Sequence, residues 1–233
     1  MTTPQCQFSN LTFWKEGGTR SYSMAGVTQD DELEFHIRLV PNGRVTSKLD
    51  EHIKIGDSIK LNGPLGASYL RRQNTDPILC IATGTGLAPI ISIIRGALES
   101  GMKNDIHLIL GARTEEDLYG LDYLDRLASE HTNFRFLIAL NHTKPNSAHV
   151  RGLVTDVIHE HFPALENWRI YLAGSPAIVE AASLLARNVV RISSVFTPMP
   201  FTRVAYKNES QSTAATSHNI KKVHVFTRNS QFR

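Results

Sequence analysis

The stretch Ile78–Gly101, ILCIATGTGLAPIISIIRGALESG, reads as a buried strand (Ile78–Ala82), a tight glycine turn (Thr83–Leu87) and a helix opened by Pro89. Proline fits the first helical turn, where its missing N–H costs nothing, and Gly101 supplies a stop. Gly84 and Gly86 lack the side chains that would hold a phosphate away from the backbone. The free N–H groups and positive dipole end of the new helix favour an anion at that point. The spacing is G-x-G-x-x-P, a variant of the G-x-G-x-x-G dinucleotide fingerprint, so a ligand-free glycine turn stands as the alternative.

Working outward, residues 78–188 alternate strand and helix patterns. Strands are expected at Ile78–Ala82, Ile106–Leu110, Phe134–Leu140 and Arg169–Ala173, and helices at Pro89–Ser100, Leu121–His131, Leu153–His161 and Pro176–Asn188. Such alternation specifies a parallel, Rossmann-like α/β domain with helices on both faces and ligand at the carboxyl ends of the strands. The turns there carry Thr83-Gly84-Thr85-Gly86-Leu87, Gly111-Ala112-Arg113 and Gly174-Ser175-Pro176, three glycine turns on one rim. Polar Arg71–Pro77 is the natural linker into this domain, which is assigned residues 71–188.

Residues 1–70 show strand signals and no long helix. Phe8–Trp14, Leu33–Val40 and Ser58–Leu61 are apolar or alternating runs, separated by Gly17-Gly18, Asp30-Asp31, Pro41-Asn42-Gly43 and Gly63-Pro64-Leu65-Gly66. Glu34, His36 and Arg38 alternate with Phe35, Ile37 and Leu39, as on a half-buried antiparallel strand. A small antiparallel β-barrel is expected, truncated because three clear strands are too few to close it. Val45–His52 has room for a short helix.

Residues 189–233 hold seven Lys/Arg against the single acidic Glu209, and Lys207–Asn219 is rich in Ser, Thr, Asn and Ala. This segment is expected to be an atypical basic tail, poorly ordered. Its cations are scattered without a motif, so no nucleic-acid partner is expected. Cys6 and Cys80 are too few for a disulfide framework or a four-cysteine cluster. The apolar run Ile78–Ile94 is broken by Gly84, Gly86 and Pro89, so no membrane span is expected, and Met1–Asn10 has no secretory pattern. A cytoplasmic location is the default. His159-Glu160-His161 lacks the i, i+4 histidine pair of H-E-x-x-H, and no metal site is expected. Neither a nucleophile elbow nor a Walker lysine is present, which argues against hydrolase chemistry.

Arg20-Ser21-Tyr22-Ser23, followed by Met24-Ala25, resembles the R-x-Y-S flavin motif of the ferredoxin–NAD(P)+ reductase superfamily, and the glycine motifs above follow in that family's order. The stretch from Gln7 to about Asn188 is most similar to the NADH-dependent reductase components of aromatic-ring-hydroxylating, naphthalene-type dioxygenases, through RSYSMAG, ELEFHIRLVPNGRVT, IKLNGPLGASYLR and GLVTDVIHEH. The resemblance implies FAD on the barrel (residues 1–70), NADH on the α/β domain, and one-electron output to a ferredoxin or oxygenase iron–sulfur protein. It makes Tyr22 and Ser23 the residues beside the isoalloxazine, with Arg20 on the FAD pyrophosphate. Gly43, Val45 and Thr46 add contacts to that pyrophosphate, and Arg38 stands beside it. Thr83, Gly84, Thr85, Gly86, Leu87 and Pro89 then cradle the NAD side, Gly111 and Arg113 edge it, and Gly174, Ser175 and Pro176 leave room for the nicotinamide.

Glu115, Glu116 and Asp117 follow Arg113, and carboxylates there would repel a 2′-phosphate while accepting from a ribose hydroxyl, so NADH is expected over NADPH. Measured against the family pattern, the ferredoxin domain and the first barrel strands are missing. The usual Cys-Gly-x-Pro reads Ala173-Gly174-Ser175-Pro176, and the last strand with its terminal aromatic is not recognisable after Asn188. Two alternatives follow: a non-catalytic nucleotide-binding fragment, or an electron-transfer subunit of another flavin reductase system.

Overall fold

The computed structural model describes residues 7–15, 18–40, 42–66, 68–189 and 225–226. In the first half, β1 (Phe8–Thr12) is the centre of a three-stranded antiparallel sheet, flanked by β2 (Thr19–Ser23) and β4 (Lys60–Leu65). Alternation along β1 sends Leu11 into a small core with Phe13, Phe35, Ile37, Val45 and Leu49. The run Leu33–Val40 is mostly irregular. It contributes only a Met24–Phe35 bridge and the two-residue β3 (Ile37–Arg38). His36 is the reason its alternation misleads: it is as buried as Phe35 and Ile37, facing the second half of the molecule rather than solvent. A 3₁₀ turn at Thr46–Lys48 leads into the single-turn α1 (Leu49–His52), as the sequence predicts.

The second half is a five-stranded parallel sheet. In chain order its strands are β5 (Ile78–Thr83), β6 (Ile106–Ala112), β7 (Phe134–Leu140), β8 (Val150–Arg151) and β9 (Arg169–Ala173), arranged β8-β7-β6-β5-β9. The helices are α2 (Leu87–Glu99), α3 (Leu121–Glu130), α4 (Val154–His161) and α5 (Pro176–Val189). Strand β5 is buried on both faces, which is why its sequence is a continuous apolar run. Ile78, Cys80 and Ala82 join a core with α2 and α3, while Leu79 and Ile81 join another with α4 and α5. Helix α2 begins at Leu87, ahead of Pro89, because Gly84–Gly86 already winds a 3₁₀ turn that feeds the helix. The two-residue β8 has too short a signal to be read from sequence.

Helix α2 is apolar nearly all round because it is wedged between the sheet and the first half. Ser92 Oγ donates to the Gly26 carbonyl at 2.7 Å, and the Arg95 guanidinium grips both Asp30 oxygens at 2.6 and 2.7 Å. The Arg71 N–H donates to Tyr171 Oη at 3.0 Å, fixing the linker. Finally β10 (Val225–Phe226) pairs in parallel with β3, and the expectation of a poorly ordered tail otherwise falls outside the described residues.

Candidate functional site

The carboxyl ends of β5, β6 and β9 open into a cleft of about 630 Å³. Thr83, Gly84, Thr85, Gly111, Arg113, Gly174, Ser175 and Pro176 line it, so the three glycine turns converge as their rim positions demand. Arg38 reaches the same cleft from β3, and it is the only expected flavin-side residue that does so among those lining it. Gly84 adopts φ +53°, with open space where a Cβ would point. That leaves the N–H groups opening the helix accessible to an oxyanion.

Gly86 is glycine for another reason. A Cβ there would strike the Ala173 carbonyl, so this position sets how closely the turn packs on β9 and is no surface for phosphate. Leu87 and Pro89 are likewise buried in the helix–sheet core and do not line the cleft. At Gly111 a Cβ would meet Val154, and at Gly174 it would meet Thr83 Oγ1, the atom that accepts from the Ser175 N–H at 3.4 Å.

The acidic segment after Arg113 divides. Glu116 and Asp117 line the cleft, whereas Glu115 turns to Ser147, whose hydroxyl donates to it at 3.0 Å. Lys144 Nζ lies 3.0 Å from Glu116 and 3.3 Å from Glu115. Glu116's own backbone N–H, then Lys144 and Thr114, hold its carboxyl down at about 2. The cleft edge therefore carries an ionised, solvent-exposed carboxylate paired with an equally exposed lysine. Asn141, Leu118 and Tyr119 also line the cleft. Sequence reasoning missed them because Asn141 follows β7 without a glycine turn, and Leu118 and Tyr119 lie beyond the strand-end turn, after a 3₁₀ turn at Glu115–Asp117.

The other candidates gather on the first sheet. Arg20 and Arg44 converge on Gly18, where a Cβ would lie 3.9 Å and 3.6 Å from their guanidinium nitrogens. Among the described residues neither has a carboxylate partner, and two clustered guanidiniums suit a pyrophosphate. Tyr22 packs edge-on against Phe13 at 5.9 Å, and Ser23 ends the same strand, paired with Phe8. The segment at Asn42-Gly43 is tied by its own bonds: the Val40 N–H donates to Thr46 Oγ1 at 3.1 Å and the Gly43 N–H to the Val40 carbonyl at 2.9 Å. Val45 gives its side chain to the core, which leaves only its backbone for a ligand.

Burial pushes the Tyr22 phenol up from 10.0 to about 12, against the opposing pull of Arg20. The unfolded chain therefore loses this proton first, and the contribution to stability is complete below pH 10 and lost as pH rises toward about 12. Replacing Tyr22 with Phe should flatten the alkaline fall of the urea midpoint between those values. An unchanged slope would mean that Tyr22 does not sense its burial.

Comparison with known proteins agrees with both halves. The family described as Oxidoreductase FAD-binding domain matches residues 2–69, and that described as Oxidoreductase NAD-binding domain matches residues 80–183. The chain is 47% identical over 183 residues to the reductase component, ferredoxin–NAD(P)(+), of the naphthalene 1,2-dioxygenase system of Pseudomonas putida, covering 78% of this chain and 56% of that protein. It is 37% identical to the propane 2-monooxygenase reductase component of Mycolicibacterium smegmatis, covering 82% and 57%. Among solved structures, the Amycolatopsis cytochrome P450 reductase superposes with TM-score 0.74 at 32% identity, covering 82% of this chain and 60% of that one. The ferredoxin reductase of carbazole 1,9a-dioxygenase gives 0.70 at 26% identity, covering 80% and 57%. The chain thus spans little more than half the length of the curated relatives it matches.

Proposed function

The chain belongs to the oxidoreductases that join an FAD-binding domain to an NAD-binding domain, and from that premise we propose that it oxidises NADH through FAD and delivers single electrons to an iron–sulfur partner, a ferredoxin or the oxygenase of an aromatic-ring dioxygenase. The observation carrying this reading is the shared cleft, in which Arg38 of the first half meets the glycine rim of the second. We take residues 1–70 as the flavin half, 71–188 as the nucleotide half and 189–233 as a separate tail. The matched ranges support the first two. The proposed location is the cytoplasm.

Bound FAD supplies a two-electron acceptor that can release its electrons singly. The protein's part is to bind and orient. Arg20 and Arg44 offer planar donors to the flavin pyrophosphate, with the backbone of Gly43 and Val45 and the Thr46 hydroxyl beside it. Tyr22 presents a ring braced by Phe13 to the isoalloxazine, and Ser23 offers a hydroxyl next to it. On the other side the N–H groups of Gly84 and Thr85 would receive the dinucleotide phosphates, Arg113 would close the edge, and Gly174–Pro176 would keep the nicotinamide end clear. Holding both cofactors by their phosphates converts hydride transfer into an intramolecular problem of geometry. Separate calorimetric titrations with FAD and with NAD+ test the reading: one site for each is expected, and failure to bind FAD would contradict it.

The Glu116 carboxylate at the cleft edge favours a ribose hydroxyl over a 2′-phosphate. Replacing Glu116 with Lys is expected to move the NADPH-to-NADH ratio of kcat/KM by about ten-fold or more toward NADPH. An unmoved ratio would place the ribose elsewhere.

A further inference from the structure

A chain of polar contacts joins the two half-sites. His36 is 3% exposed and sits immediately before β3. Its Nε2 lies 3.1 Å from Glu34 Oε1 and its Nδ1 lies 3.0 Å from Tyr119 Oη, with the two rings edge to face at 5.4 Å. The Tyr119 hydroxyl in turn reaches the Gly84 carbonyl at 3.4 Å. We propose that His36 and Tyr119 are a positioning pair that holds the phosphate turn of the nucleotide half in register with the flavin strand. The proposal rests on the cofactor reading above and adds residues that reading does not use.

The peptide plane gives the pair its leverage. The Gly84 carbonyl and the Thr85 N–H belong to one planar trans unit, so fixing the carbonyl fixes the direction of the N–H. Gly84 stands at φ +53° with open space beside it, so no side chain of its own restrains that plane. The Leu87 N–H also donates to this carbonyl, and Tyr119 adds a second restraint from across the cleft.

At its other end the chain enters the flavin strand. His36 lies between Phe35, bridged to Met24 just after Ser23, and the Ile37–Arg38 strand whose arginine lines the cleft. His36 thus stands next in the chain to the residue bridged beside Ser23 and to the strand that carries Arg38.

Proton accounting makes the Tyr119 hydroxyl the hub. The chain ends in two acceptors, the Glu34 carboxylate and the Gly84 carbonyl. The Gly84 carbonyl can only accept, so the Tyr119 hydroxyl donates to it at 3.4 Å, while the same oxygen lies 3.0 Å from His36 Nδ1. Removing that one oxygen disconnects both contacts while the edge-to-face rings remain.

Hydrogen exchange on the cofactor-free full chain, comparing wild type with Tyr119→Phe, reads the anchor directly. The peptide spanning Thr83–Pro89 should exchange about ten-fold faster in the variant, while strand Ile106–Ala112 is unchanged. In the FAD-loaded protein, flavin bleaching at saturating NADH should slow by about ten-fold, with melting temperature and FAD retention as in wild type. His36→Gln, which keeps a donor and an acceptor, should recover part of the rate lost in His36→Ala. Wild-type exchange at Thr83–Pro89 in Tyr119→Phe overturns the proposal. So does faster exchange everywhere with an unchanged bleaching rate, the mark of a merely structural contact. A wild-type protein that binds NAD+ and FAD but never bleaches defeats the functional reading instead, which the variant comparison cannot mimic.

Discussion

Gly86→Ala is expected to destabilise the protein by roughly 3 kcal/mol, the upper end of the range for an overpacked interior. The added methyl meets the backbone of Ala173 and Gly174, not the tip of a side chain that can rotate away. Strand β9 is hydrogen-bonded along its length to β5, so the obstructing carbonyl cannot retreat without breaking the ladder. The turn must move outward instead, carrying Gly84 and Thr85 with it, so NAD+ affinity should fall together with stability. Urea denaturation and calorimetry on the same preparation check both effects. Gly84→Ala is the contrast: it meets no neighbour, and only its positive φ opposes it, at about 1 kcal/mol. If the two variants lost equal stability, the packing account of Gly86 would be wrong.

Arg95→Met should cost about 3 kcal/mol, the typical penalty for leaving one partner of a largely buried ion pair uncompensated. The Arg95 and Asp30 side chains are only 17% and 24% exposed, and their contact is bidentate. Burial works against the Arg95 charge, yet hydrogen bonding to Asp30 and the nearby carboxylates more than offset it, so its pKa is raised. The same Asp30 carboxylate accepts from the Val27 N–H at 2.8 Å, so the loop Gly26–Asp30 is organised around this pair. Because the bond spans the two halves, its loss should also split one thermal transition into two. A single transition at the wild-type temperature would show that the halves are held together by other contacts.

The second half was legible in detail because β5 is a continuous buried apolar run and α3 and α4 are amphipathic. Phe134–Leu140 and Arg169–Ala173 fall where the patterns put them, and the other boundaries move by a residue or two. The first half was less legible. Its strands are short, and β2 has no fully buried residue to mark a core-facing side, so no clear alternation shows. At the site, the rim glycines announced the cleft, but not which of them face it: Gly84 and Gly86 look equivalent in sequence, yet one borders open space and the other packs on backbone. His36 and Tyr119 carried no signal at all. A polar residue on an alternating strand reads as solvated until the domain that covers it is in place.

The most direct test of the central claim is an anaerobic titration of the purified, FAD-loaded and desalted protein with NADH, followed by its visible spectrum. The expected result is retained flavin absorbance that bleaches with one equivalent of NADH per flavin, far more readily than with NADPH. Flavin that stays bound and oxidised in excess NADH would contradict the claim that the Arg20–Ser23 strand and the Gly84–Gly86 turn serve one hydride path.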